Sequence, residues 1–209
     1  MSKLDPDVEA ELEALQRLRL SHSGTFYALA KSGFANACSA SKDGRAKMTG
    51  RKLSMQEEIS TSLTVIRTTR EQSTAAIVFS ALCVESIINF AVDSHCSKFY
   101  ADGLDKLDVP MKWVAVLKFA YGHDLSPDNA LIGKLKELAK ARNQLAHAKP
   151  RTFLDKDLNP TEPPGIVEAM TAVATMEEAL TYLHKIDPTL TEWEHFAFDW
   201  TKCPAHGDK

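Results

Sequence analysis

An arginine inside an apolar stripe is the first residue of this chain that asks for an explanation. Leu131, Leu135, Leu138 and Leu145 recur at the spacing of one helix face, and at 100° per residue Arg142 falls in the middle of them. A guanidinium there must snorkel to water, pair with an acid, or meet negative charge across an interface. Glu85, the only charge in the apolar run Ser73 to Val92, is the candidate acid, and Asn89 stands one turn along the same face. The chemistry on offer is charge pairing: an ion pair that holds two helices in register, or a seat for an anion. His147 follows Arg142 by five residues, roughly 140° round an ideal helix, and Asn143 shares its face one turn earlier. A histidine near a helix C-terminus also has a structural use, because its charged form interacts favourably with the helix dipole.

These side chains need helices to carry them, and the pattern supplies little else. Asp5-Pro6 reads as an N-cap with proline at the first helical position, opening an amphipathic helix to about Leu20. A second, weaker helix is expected around Phe26 to Ala37. Residues 41–53 read as a loop, with Gly44 and Gly50 among Lys42, Arg45, Lys47, Arg51 and Lys52. That basic cluster could meet phosphates, although a solvated loop is the simpler reading. Ser54-Met-Gln-Glu57 is a capping box that starts the next helix, with a bend expected at Thr68-Thr69. Ser73 to Val92 has the twenty or so residues a membrane span needs. Glu85 and Asn89 deep inside it argue instead for a helix buried within a bundle. Asp108-Val-Pro110 opens a further helix stopping at Gly122, and Ser126-Pro127 opens the helix of Arg142, from about Asp128 to Ala148 before Pro150. A loop from Lys149 to Gly165 leads to a last long helix, Ile166 to about Ile186. The tail Glu192 to Trp200 is aromatic-rich and could cap the core. No strand pattern and no repeat stands out, so the expected class is all-α.

Composition narrows the function by exclusion. With 209 residues the length suits one domain with elaborations, on a prior of roughly 150 residues each. Lys and Arg number 25 against 28 Asp and Glu, a net charge of −3, which argues against a surface built throughout to coat nucleic acid or an anionic membrane. Cys38, Cys83, Cys96 and Cys203 lie far apart, and the acidic start has no apolar core of a signal peptide, so a reducing cytoplasm is expected. Cys203 and His206 are two metal-type ligands without a second pair nearby, and no metal or cofactor is expected.

Arg142-Asn143-Gln-Leu-Ala-His147 resembles the Arg-x(4–6)-His motif of HEPN domains, including the polar residue directly after the arginine. The likeness extends to Phe79 through Glu85 to Asn89, which is similar to the family's long apolar helix. It also takes in Lys112-Trp113 through Lys118 and Gly122, and Leu135-Lys-Glu-Leu138 ahead of the motif. It covers about residues 55–186. The division that follows is an N-terminal helical extension with its basic loop (1–53), a HEPN-like up-and-down bundle (54–190) and a C-terminal tail (191–209). The resemblance implies a homodimer that brings both motifs to one cleft, and a metal-independent endoribonuclease of the toxin or antiviral-effector kind, with an antitoxin or other regulatory protein as a possible partner. His147 would then exchange the 2′-hydroxyl or leaving-group proton, Arg142 offset charge on the attacked phosphate, and Asn143 orient the imidazole or hold a phosphate oxygen. Glu85 and Asn89 would support them, and Lys136, Lys140, Lys149 and Arg151 would rim the groove as RNA contacts. Some members of the family have lost activity, so a non-catalytic dimerisation, interaction or nucleotide-binding module is the alternative.

Overall fold

The computed structural model describes residues 6–49, 54–126, 128–146 and 165–190. Among them are six α-helices and no strand: α1 (Pro6–Thr49), α2 (Met55–His95), α3 (Lys98–Leu104), α4 (Val109–Tyr121), α5 (Ala130–Ala146) and α6 (Ile166–Ile186), then a 3-10 turn at Pro188–Leu190. The all-α expectation holds.

The N-terminal half departs from the sequence reading. In place of two short helices and a loop there is one helix of 44 residues, and Lys42, Arg45 and Lys47 lie exposed on its last turns. Arg51 and Lys52 lie outside the described residues. Isolated glycines and serines each lower helix preference by no more than about 1 kcal/mol, and packing on α2 overrides that. The register of the pair shows how. Ser23 donates to Ser86 through their hydroxyls, the α-carbon of Gly33 approaches the backbone of Ala76, and Gly44 abuts Val65. Twenty-one residues up α1 are thus matched by twenty-one down α2. Over roughly 32 Å, at 1.5 Å per residue, the antiparallel pair neither slips nor breaks. Helix α2 likewise runs through Thr68-Thr69 without interruption, for 41 residues in all.

Several helix ends follow the sequence. Ser54 Oγ accepts from the Glu57 N–H at 3.4 Å while Glu57 Oε2 accepts from the Ser54 N–H at 2.9 Å, completing the capping box. Asp108 caps α4 by accepting from the Met111 N–H at 2.9 Å, and α4 stops at Gly122, whose φ of 68° suits a residue without Cβ. The start of α5 differs. Asn129 Oδ1 accepts from the Leu131 N–H at 2.9 Å, doing what was expected of Ser126. The seven-residue α3 has no counterpart in the sequence reading; it buries only Leu104, too little for an apolar period to show.

Helix α2 packs against all five others. Its Ile77, Val84, Ile87 and Ile88 join Phe34 of α1, Trp113 of α4, Ile132 of α5 and Met176 of α6 in one core. Its most apolar window has a mean hydropathy of 2.0, and 61% of that window is buried inside the molecule, as in the central helix of a bundle. Its N-terminal half packs on α1 through Val65 and Gly44 and leaves Met55, Ile59, Leu63 and Ile66 exposed. Polar contacts also fasten α6 to its neighbours. Glu177 accepts from Lys31 at 2.8 Å and from Tyr27 at 3.1 Å, and His95 at the end of α2 stands 3.3 Å from Asp187.

Candidate functional site

Arg142 owes its position to the leucines around it. Leu131, Leu135 and Leu138 are buried and Leu145 half-buried, so the face of α5 that holds them against α2 and α4 carries the guanidinium to the edge of the core. There Nη2 donates to Glu85 Oε2 at 2.7 Å, and Nη1 donates to Asn143 Oδ1 at 2.9 Å. Because arginine has donors only, the orientation of the Asn143 amide is fixed by this bond. The side chains of Arg142 and Glu85 are 31% and 34% exposed, so water still reaches the pair. Its net worth is therefore on the order of 1 kcal/mol, nearer to a surface ion pair than to a buried one. The expected Glu85–Arg142 pairing is present.

Asn89 has a different partner. Its Oδ1 accepts from Lys112 Nζ at 2.8 Å, and the same ammonium reaches Asp105 Oδ1 at 3.0 Å. One turn along α2 therefore separates two polar clusters: Glu85 with Arg142 and Asn143, and Asn89 with Lys112 and Asp105. The Lys112 side chain is only 8% exposed. It was not among the candidate site residues, although a lysine between Val109 and Val116 at helical spacing on an apolar face signals a buried cation.

A cavity of about 230 Å³ opens beside the first cluster. Ala81 and Val84 of α2, Leu135, Leu138 and Ala139 of α5, and Leu107 and Val109 at the start of α4 give it apolar walls. Glu85, Asp108, Arg142 and Asn143 supply its polar groups. Leu107 and Asp108 are functional candidates that the sequence did not single out, because only the tertiary fold brings the start of α4 to this place.

Of the expected RNA contacts, Lys136 and Lys140 are exposed on α5, and Lys140 stands 3.5 Å from Glu137. Their helical spacing sets them on the flank of α5 that Asn143 also occupies, so the Arg142–Asn143 bond joins the apolar stripe to a basic flank. His147, Lys149 and Arg151 lie outside the described residues, as do Cys203 and His206 and the aromatic tail. Among the described residues no three of histidine, cysteine, aspartate and glutamate gather as metal ligands would.

No protein-family model matches the chain, and no curated protein or solved structure compared with it does either.

Proposed function

We propose that this chain is a metal-independent endoribonuclease of HEPN type, acting in the cytoplasm as a toxin or antiviral effector under the control of an antitoxin or other regulatory protein. The observation that carries the reading is the seat of Arg142: a guanidinium held by Glu85 and Asn143 at the rim of an apolar cleft, on the helix that leads directly to His147. In this mechanism the 2′-hydroxyl of the substrate attacks the adjacent phosphate. His147 exchanges a proton with the attacking or leaving oxygen, Arg142 offsets charge gathering on the phosphoryl oxygens, and Asn143 orients the imidazole or a phosphate oxygen. The products are a 2′,3′-cyclic phosphate and a 5′-hydroxyl. A homodimer brings two such segments to one groove, where Lys136, Lys140, Lys149 and Arg151 meet the RNA backbone.

One observation favours a second reading. Glu85 already supplies Arg142 with its countercharge at 2.7 Å, as in a helix-registering pair of a non-catalytic HEPN-like module. Incubating wild type, His147→Ala and Arg142→Ala with total RNA in EDTA separates the two, with folding checked by circular dichroism and dimerisation by sedimentation. Cleavage by wild type that both folded variants lose by about a hundredfold or more supports the nuclease. Intact RNA at micromolar wild-type protein, or a strictly monomeric chain, overturns it.

A further inference from the structure

The cavity beside Arg142 has walls and rim of different chemistry, and together they describe a ligand. Seven aliphatic residues line it without a charge among them, and every polar side chain belongs to Glu85, Asp108, Arg142 or Asn143. At about 230 Å³ it falls below the roughly 300–1,000 Å³ of sites that enclose a whole drug-sized molecule. It therefore has room for one ring system, with the rest of the ligand outside.

Among the hydrogen-bonding groups still available there are two carboxylate oxygens, beside the unused N–H groups of Arg142 and Asn143. Arg142 occupies Glu85 Oε2, which leaves Oε1. The helix cap occupies Asp108 Oδ1, which leaves Oδ2. Arg142 occupies Asn143 Oδ1, so the amide Nδ2 remains as a donor. Two carboxylate acceptors call for two N–H hydrogens, and one amide donor calls for a neighbouring acceptor. Adenine, cytosine and guanine each carry an exocyclic amine with two N–H hydrogens beside a ring or carbonyl acceptor, whereas uracil offers a single N–H. A phosphate inside the cavity would face both acids, so the anionic part of the ligand belongs outside it, where the N–H groups of Arg142 not bonded to Glu85 or Asn143 can meet it.

We propose that this cavity is a base subsite that takes an unpaired, amine-bearing nucleobase, with Asp108 and Glu85 reading the amine and discriminating against uracil. The base comes from an RNA strand if the ribonuclease reading above is right, and from a free nucleotide otherwise. Only the identity of the source rests on that reading.

Titrating the full-length protein with AMP, CMP, GMP, UMP and ribose 5-phosphate by calorimetry, and mapping cleavage of a mixed-sequence RNA in EDTA, tests both parts separately. At least one of AMP, CMP and GMP is expected to bind about tenfold or more tighter than UMP, as one good base-edge pair would give. Ala139→Leu, which fills the cavity, is expected to abolish that preference. Asp108→Asn keeps a capping oxygen, so α4 stays capped, and its amide replaces an acceptor with a donor. That variant is expected to narrow the gap to UMP at least threefold. Leu107→Phe at the rim provides a second filled cavity should Ala139→Leu lose its helical circular dichroism. Equal binding of all four nucleotides, binding of ribose 5-phosphate as tight as theirs, or a preference unmoved in every folded variant overturns the base subsite. Base discrimination without any RNA cleavage leaves the subsite standing and sinks the nuclease reading. Cleavage without base preference, together with undiscriminating nucleotide binding, does the reverse.

Discussion

A guanidinium occupies the place in α5 where a fifth leucine would continue the stripe, and its two hydrogen bonds divide its donors between a countercharge and an amide. Removing the countercharge and removing the cation therefore have different consequences. Glu85→Gln keeps an acceptor within reach of Nη2 and is expected to cost under about 1 kcal/mol in urea unfolding, because the pair is about one-third exposed. In a nuclease it retains RNA cleavage, since the positive charge is still present to meet the phosphate. Arg142→Ala loses cleavage although its stability changes little. An architectural pair behaves otherwise: both substitutions shift the unfolding midpoint together, and no cleavage exists to be lost. Lys112 shows the same logic on the neighbouring turn, where two acceptors, Asn89 and Asp105, hold an ammonium almost removed from water.

Among the elements, the α1–α2 pair depends on two glycines whose surroundings differ in kind. A Cβ at Gly44 would overlap both Cγ methyls of Val65, whereas one at Gly33 would stand 3.0 Å from the backbone nitrogen of Ala76 and the carbonyl oxygen of Gln72. Gly44→Ala is expected to destabilise by about 1–2 kcal/mol, the overpacking cost less the helix preference that alanine gains. Val65→Ala in the same chain should recover it, with a coupling energy of about 1 kcal/mol in a double-mutant cycle. Gly33→Ala meets backbone, which no side-chain trimming relieves, so neither Gln72→Ala nor Val65→Ala should rescue it. Equal rescue at both positions, read from thermal or urea unfolding, would contradict this account of how the two helices approach.

At the scale of the whole molecule, burial sets the response to alkali. Cys83 is fully buried with its thiol donating to the Ser23 carbonyl at 3.4 Å, and burial pushes it from an ordinary 9.0 up to about 12. Tyr27 and Tyr121 are likewise raised, by burial first and then by the carboxylates of Glu177 and Asp187 respectively. An acid raised on folding holds its proton after the unfolded chain has released it. Its stabilisation is complete below the ordinary value and is lost as pH climbs toward the folded one. Lys31 opposes this, since burial lowers it despite Glu177, and stability rises as the folded amine deprotonates ahead of the unfolded one. The expected outcome is a thermal midpoint that falls from about pH 9 upward. Between pH 9 and 10 the Cys83→Ala variant should show a flatter slope, by up to about 1.4 kcal/mol per pH unit. An identical slope in variant and wild type would remove Cys83 from the explanation.

Local rules fixed what depends on neighbours along the chain. The capping box at Ser54, the Asp108 cap, the Gly122 stop and the leucine stripe of α5 are each written within a few residues, and each stands in the fold as spaced. The Glu85–Arg142 pairing was legible too, because a lone acid and a lone cation on two apolar faces have few other ways to be satisfied. What spacing could not tell was whether α1 would run through its glycines, since that was decided by the contact of Gly33 and Gly44 with α2, residues far away in sequence. Nor could it tell that Asn89 would turn to Lys112 and leave Arg142 to Asn143, or that Leu107 and Asp108 would close a cavity against α5. Helix caps and stripes are set by bonds three or four residues long, whereas the choice among competing polar partners and the shape of a cavity depend on how whole helices cross, which only the packed core determines.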